Sequence, residues 1–350
     1  MWENESKQIC NNEGGMAKTK QLEILCVGDT VTDIFIKLRD DQAHTYANEH
    51  GDWLAIPFGG KIPYEASQIM PGHGNAANAA VCMSRLGLNV AYHTYVGGDE
   101  LGRQTIRLMQ KEGVDDRFIH IQTSRVTNTN FLINYKAERT ILVKHEDFDY
   151  DWPHFRAAEV PKWIYFSSLS ENAEEYHDQI AEWLEAHEDV KLAFQPGTWQ
   201  MKAGVERLKR IYARTEVVIM NREEAALVTG GSEKDIHDLM DRLHSYGPTM
   251  VVITDGPDGA YASDGHRRFK MPLYPDPAPP VERTGAGDAY ASTMVAALAV
   301  GNNLEAALQW APINSMNVVQ HPGSQAGLLT VSELEKWLAK APDWYHATDF

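Results

Sequence analysis

The chain begins with a polar stretch, MWENESKQICNNEGGMAKTK, in which no apolar period repeats. The first apolar run, ILCVGDTVTDIFI (24–36), reads as a buried strand, a glycine turn and a second strand. Residues 39–70 mix Gly, Pro and aromatics, fit no helix–strand repeat and read as an insertion. NAANAAVCMSRLG (75–87) is alanine-rich and predicts a helix stopped by Gly87. NVAYHTYVGG then predicts a strand, and ELGRQTIRLMQKEG (100–113) a helix ending in glycine. FIHIQT, TNTNFLINY and RTILVKH are β-branched or alternating, with a KAE turn between the last two, and predict a small antiparallel unit. From residue 160 short apolar runs (WIYFSSL, VKLAFQP, EVVIMN and MVVITDG) alternate with helical segments near 174–187, 201–213, 222–229 and 233–246. A last helical region covers about 287–319. Short buried strands separated by helices predict a parallel sheet covered on both faces. The pattern holds no internal repeat and no low-complexity linker.

Composition narrows the function classes. At 350 residues and 43% hydrophobic content the chain can bury a sizeable core. A formal net charge of −17 argues against nucleic acid and anionic membrane surfaces as partners. An anionic ligand therefore needs a local device, such as a helix N-terminus. The three cysteines, Cys10, Cys26 and Cys82, form no CxxC and imply no disulfide framework, which points to a cytoplasmic protein. No apolar run is long enough for a transmembrane helix. The first residues lack the apolar region of a signal peptide; 1–20 read as a disordered extension, with Met16 as a candidate start.

Two glycine-rich loops carry the candidate chemistry. PGHGNAANAA (71–80) contains G-x-G-x-x-A, but a dinucleotide fingerprint needs a strand directly before it and an acid about 20 residues later. The preceding IPYEASQIMP is a poor strand ending in Pro71, Tyr92 stands near the acid's position, and no acid comes before Asp99. The glycines then serve either a tight helix entry or the close approach of a ligand. The second loop, VERTGAGDAYASTMVAALAVG (281–301), opens a helix of small residues. The N–H groups of Gly285, Ala286 and Gly287 at that helix start form an anion hole. Asp288, in the first turn, complements the helix dipole. It also repels a bound anion, unless it faces a hydroxyl that attacks that anion. Base on one side and charge stabilisation on the other is an arrangement for phosphoryl transfer. The chain has no GxxxxGK[ST], HRD or DFG, which excludes P-loop NTPases and protein kinases. Its histidines show no HExxH or paired ligand spacing, so a structural metal is not expected.

GDTVTDIF (28–35), HGNAANAAVCMSRLG (73–87), NREE (221–224), VVITDGPDGAYA (251–262) and ERTGAGDAY (282–290) occur in that order. With them the chain, over about 22–340, resembles the ribokinase-like, PfkB-type carbohydrate kinases. The resemblance implies an α/β fold: a three-layer α/β/α sandwich with a mainly parallel central sheet and a small β-sheet lid. It implies one kinase domain over 21–345, with lid segments about 34–70 and 116–146. It also implies transfer of the ATP γ-phosphoryl group to a hydroxyl of a sugar or sugar-like substrate. In that scheme Asp288 is the catalytic base, and Gly285, Ala286 and Gly287 stabilise charge. Asp33, Gly74 and Asn78 orient the sugar, with Asn78 offering donor and acceptor to adjacent hydroxyls. Asn221 and Glu224 organise Mg2+ and phosphate, Glu224 through water. Thr254, Gly256, Gly259 and Thr284 lie beside the nucleotide.

The chain departs from the family pattern in three places. His73 replaces the first glycine of the usual pair, where it either adds a hydrogen-bonding group to the pocket or packs on the lid. Glu282 stands where the family has an aspartate beside a monovalent cation such as K+, near carbonyls around Val318 and Gly323. FQPGTW (194–199) replaces an Asp-Pro-Asn segment. His145 is a further pocket candidate. Arg139 and Lys144 either reach a substrate phosphate or stay solvated on an exposed hairpin. The aromatics of 46–64 suit lid packing or a dimer contact, and lid-to-lid pairing makes a homodimer the candidate assembly. Two alternatives stay open. A nucleoside kinase of the same fold needs a slot for the base, to which Phe131 and the 46–64 aromatics could contribute. A catalytically silent sugar- or nucleotide-sensing protein is disfavoured by the intact Asp288 and Gly-Ala-Gly.

Overall fold

A computed structural model of the chain describes residues 21–49, 51–136 and 138–350. The expected extension over 1–20, with Cys10 and Met16, lies outside the described residues. In chain order β1 (Ile24–Val27), β2 (Val31–Leu38), the hairpin β3 (His44–Asn48) and β4 (Gly51–Ala55), and β5 (Tyr64–His73) lead to α1 (Asn75–Arg85). β6 (Val90–Gly97), α2 (Glu100–Lys111), β7 (Ile119–Gln122), β8 (Thr129–Tyr135) and β9 (Glu138–Lys144) follow. Next come β10 (Trp163–Phe166), α3 (Glu174–Ala186), β11 (Lys191–Phe194), α4 (Thr198–Ala203), α5 (Val205–Ala213) and β12 (Thr215–Asn221). After them lie α6 (Arg222–Thr229), α7 (Ile236–Ser245), β13 (Met250–Thr254), β14 (Ala260–Ser263) and β15 (Arg268–Met271). α8 (Ala286–Ala299), α9 (Leu304–Val318), α10 (Val331–Leu338) and β16 (Thr348–Asp349) complete the chain.

The large sheet runs β16-β15-β14-β13-β12-β11-β10-β1-β6-β7. From β13 to β7 all neighbours are parallel; β14, β15 and β16 add an antiparallel edge. Its central strands are apolar runs because both faces are covered: β1 and β10 are buried throughout. One core joins the sheet to α1, α8 and α9 through Ala80, Met294 and Leu308; the other joins it to α3, α5 and α7 through Ile180, Leu208 and Leu239. Alanines on α1 and α8 let these two helices lie close together. The chain order runs outward in opposite directions on the two sides of β1, and such a reversal opens a crevice at the carboxyl ends of the strands.

The lid is a separate sheet, β5-β2-β8-β9. Three sequence expectations change here. FIHIQT does not belong to the antiparallel unit: Ile119–Gln122 pairs in parallel with β6 at the edge of the large sheet. The lid itself is mixed, since β8 lies parallel to β2 and antiparallel to β9. IPYEASQIMP (62–71), read as a poor strand, falls largely in β5 (Tyr64–His73). Most of β5 is exposed and so lacks apolar alternation. The register shifts around Pro71, with Val31 opposite His73 and Asp33 opposite Met70, so the proline falls in an edge-strand bulge where no ladder bond is required. The helix expected over 201–213 is two helices split at Gly204. The earlier start of α4 places Trp199 in its first turn.

Candidate active site

The crevice is lined by strand ends. Asp29 follows β1, Gln195 follows β11, and Asn221 and Thr254 close β12 and β13. Facing them is the start of α8. Gly285 caps that helix at φ 80°, a left-handed conformation that favours glycine. A Cβ there would lie 2.4 Å from Ser324 Cβ. Gly287 is different: beyond its chain neighbours and its own helix backbone, a Cβ on it would meet nothing within 4 Å. Packing therefore does not require glycine at 287, and the space above the helix start is open to a ligand. The first-turn N–H groups lack intrahelical partners. Ala286 N–H makes only a long 3.4 Å contact to the Arg283 carbonyl.

Asp288 sits in this first turn between two cavities. The larger, about 590 Å³, is lined by lid and α1 residues together with Gly285 and Asp288. The smaller, about 190 Å³, is lined by Gln195, Asn221, Glu224, Thr254, Gly287 and Asp288 among others. Asn75, Gly285 and Asp288 belong to both walls. Asn78 Nδ2 donates to Asp288 Oδ2 at 2.8 Å, and Gln195 Nε2 donates to Oδ1 at 3.2 Å. Burial pushes the Asp288 carboxyl above the usual carboxylate range, and the two amide donors hold it back in part. The carboxylate is thus held in one orientation and made more basic.

Asn78 has partners the sequence did not suggest. Its Oδ1 accepts from Ser324 Oγ at 2.9 Å and Gln325 Nε2 at 3.0 Å. Both ends of the side chain are engaged by protein groups, which fixes Asp288, and the residue also lines the larger cavity. Gly74, at φ 107°, begins α1, and a Cβ there would lie 2.8 Å from the Asp29 carbonyl. Asp33 and His73, like Gly74 and Asn78, line the larger cavity. His73 Nδ1 lies 3.4 Å from Asp33 Oδ2 and 3.3 Å from Ser324 Oγ. Of the two readings of His73, the structure gives hydrogen-bonding distance to Asp33. Asn130 Nδ2 donates to Asp33 Oδ1 at 3.1 Å. Two buried polar atoms on this lining, Asn130 Oδ1 and His145 Nδ1, have no hydrogen-bond partner. Such orphans suit a ligand rich in hydroxyls. Burial lowers the His145 pKa, which favours its neutral form.

On the other side, Asn221 and Glu224 form the capping box of α6. Asn221 Oδ1 accepts from Glu224 N at 2.8 Å, and Glu224 Oε2 accepts from Asn221 N at 2.9 Å. The NREE motif therefore has a local structural role, and that role aims both side chains at the smaller cavity. Burial, with the neighbouring Asp288 charge, raises the Glu224 pKa. Among the described residues no group of three or more His, Cys, Asp or Glu side chains could hold a metal ion. Thr254 lines the smaller cavity, whereas Gly256 and Gly259 lie in the turn between β13 and β14 and line neither. Thr284 lines the larger cavity.

Arg139 crosses from lid strand β9 to this region. Its Nη1 donates to Glu282 Oε1 at 3.2 Å and to Thr284 Oγ1. Glu282 Oε2 accepts from Gly323 N at 3.1 Å. The carboxylate suggested for a monovalent cation thus already meets a guanidinium. Lys144 pairs with Glu146 at the surface. Sequence reasoning missed Gln195, Asn75, Asn130 and Trp199 as site residues. A polar residue at the carboxyl end of a buried parallel strand was a usable signal for Gln195.

Residues 69–331 match the pfkB family of carbohydrate kinases. The chain is 26% identical over 276 residues to a ribokinase of Bacillus subtilis, covering 78% of this chain and 89% of that protein. It is 25% identical over 273 residues to a nucleoside kinase of Methanothermobacter thermautotrophicus, covering 75% and 83%. The fold superposes on Arabidopsis thaliana ribokinase complexed with ribose and ATP at a TM-score of 0.75 and 16% identity, over 91% of this chain and 99% of that one. This confirms the sandwich-and-lid architecture.

Proposed function

The chain belongs to the pfkB family of carbohydrate kinases, and from that membership we propose that it transfers the γ-phosphoryl group of ATP to a hydroxyl of a sugar or nucleoside. The observation that carries this reading is Asp288, shared by two cavities at an open helix N-terminus. The acceptor occupies the larger cavity, oriented by Asp33, His73, Gly74 and His145. The triphosphate occupies the smaller one. The acceptor oxygen attacks the γ-phosphorus as its proton passes to Asp288, the bond from that phosphorus to the β-phosphate oxygen breaks, and ADP leaves. Gly285, Ala286 and Gly287 direct N–H groups and the positive end of α8 at the charge that develops. Asn78 and Gln195 fix the base. Magnesium, when bound, neutralises phosphate charge, and Asn221 and Glu224 are the residues that would hold it through water. Thr254 borders the phosphates, Thr284 lies on the acceptor side just before the start of α8, and Gly256 and Gly259 shape the turn after Thr254. The lid excludes water from the transfer.

A homodimer through the lid is part of the same reading. Ile69, Ile34, Phe131 and Leu142 are paired across all four lid strands and form one row. Ile69, Phe131 and Leu142 are 55%, 41% and 53% exposed. Leu54 of the β3–β4 hairpin, with Ile36 and Ile133, packs against Leu38, Ala43 and Tyr135.

The test is ADP release from Mg-ATP across free pentoses and hexoses, their monophosphates, and nucleosides. One acceptor that raises ADP release well above the acceptor-free rate supports the reading. Ligand binding without ADP release from any acceptor would favour a sensor.

A further inference from the structure

The larger cavity is two-sided in its chemistry. One part of its lining is acidic and polar: Asp33 and Asp288 are carboxylates, Asp29 beside them is hydrogen-bonded by Tyr150 and Ser170, and the described lining residues include no Lys or Arg. Arg139 donates to Thr284, which belongs to the lining, and is paired with the Glu282 carboxylate. A phosphate or carboxylate on the acceptor would meet like charges in a partly desolvated space, with the neighbouring Arg139 guanidinium already paired to Glu282. The other part is apolar. Ile141 and Val143 of β9 line the cavity yet remain 44% and 59% exposed, so they present apolar surface that no protein group covers. They share a lid face with the floor, since Asp33, Asn130 and Val143 are register partners. Trp199, half-buried in the first turn of α4, lines the same cavity. It also lines a second cavity of about 210 Å³, where Lys202 Nζ lies 4.3 Å from the indole centroid. Trp199 thus stands as an aromatic wall shared by the two cavities. A free sugar, hydroxylated around its rim, would satisfy the acidic floor and leave the apolar lining unused.

We propose that the acceptor is an uncharged sugar joined to a flat apolar group, and that Trp199, with Ile141 and Val143, is the specificity-determining surface for that group. This rests on the kinase reading above. The sugar lies over Asp33 and Asp288, and the flat group packs on the indole. Nucleosides and aryl glycosides share this chemistry.

The experiment compares adenosine, uridine, phenyl β-D-ribofuranoside, ribose and ribose 5-phosphate as acceptors, by ADP release and by calorimetric binding. A nucleoside or the phenyl glycoside is expected to exceed ribose in kcat/KM by about 5–100-fold, the range that stacking of one ring on an aromatic side chain supplies. Ribose 5-phosphate is expected neither to bind nor to react. The nucleosides against the phenyl glycoside identify the source of the flat group. In Trp199→Ala the ratio of kcat/KM between the flat-group acceptor and ribose should fall by a similar factor, and Trp199→Phe should restore most of it. Ribose or ribose 5-phosphate as the best wild-type acceptor overturns the proposal and leaves the kinase reading standing. Tight binding of the nucleoside or glycoside without ADP release supports the recognition surface and overturns the kinase reading. The wild-type comparison decides even if Trp199→Ala does not fold.

Discussion

Gly287 and Gly285 are two residues apart and should respond to alanine in opposite ways. Beyond its chain neighbours and its own helix backbone, a methyl at 287 meets nothing within 4 Å. It removes a flexible residue from the first turn of α8, which contributes up to about 0.5–1 kcal/mol in a helix interior and less at its start. The melting temperature of Gly287→Ala should therefore hold or rise by about a degree. The same methyl projects into the space assigned to the transferring phosphoryl group. Displacing an anion from its preorganised N–H donors should lower kcat by about 10²–10³-fold, the scale for losing one such donor. At Gly285 the left-handed φ of 80° disfavours a side chain by about 1–2 kcal/mol. The Cβ would also sit 2.4 Å from Ser324 Cβ, a contact that must be relieved at a further cost of about 1–3 kcal/mol. Gly285→Ala should lose both stability and turnover, melting several degrees lower. The assays are thermal melting and ADP release at saturating acceptor. A Gly287→Ala enzyme with near-wild-type kcat, or one that loses activity only in proportion to lost stability, would refute the assignment of the phosphate site.

Three further outcomes follow from the same geometry. Burial lifts Asp29 to about 7, against Tyr150 and Ser170 bonds that lower it; the folded state then holds a proton that the unfolded chain releases near pH 4. Stability from this group is present below pH 4, is lost as pH rises toward 7 and levels off above, by roughly 1–4 kcal/mol in all. Asp29→Asn should flatten that part of the stability curve, and an unchanged difference between melts at pH 5 and pH 8 would count against it. Arg139→Ala frees Glu282 and Thr284 from the lid, and a several-fold rise in acceptor-free ATP hydrolysis relative to acceptor-dependent turnover is expected if the lid excludes water; no change in that ratio would make the latch incidental. Leu142→Glu should shift a lid-paired dimer to monomer in sedimentation, and a monomeric wild-type protein would remove the dimer reading.

The sequence carried the architecture where local chemistry is strong. Buried strands such as WIYF are apolar throughout because both faces of the sheet are covered, and the small-residue helix after Gly285 is legible from its own composition. The lid was read less well. β5 is an exposed edge strand with a bulge at Pro71, so it offers no alternation, and β7 is too short for its pattern to declare a partner. The site was legible where a motif is contiguous, as around Asp288 and in the Asn221–Glu224 capping box. Gln195, Asn130 and Ser324 reach the site through tertiary contacts with residues 93, 97 and 246 positions away; Gln195 at least ends a buried strand, whereas Asn130 and Ser324 carry no local signal. His73 was ambiguous for the same reason: its distances to Asp33 and Ser324 depend on the docking of the lid.

The most direct test of the account is the pair of values kcat and ATP affinity for Asp288→Asn, measured with the best acceptor. Asparagine keeps the size of the side chain and lacks the basic oxygen. The account predicts ATP binding close to wild type and kcat lower by about 10²–10⁴-fold, the usual contribution of a positioned base. It also predicts that wild-type kcat climbs with pH through a midpoint above the ordinary carboxylate range, since burial raises Asp288, and that the residual turnover of the variant loses this rise. Near-wild-type kcat in Asp288→Asn would contradict the assignment of the base, and with it the mechanism built on the shared wall of the two cavities.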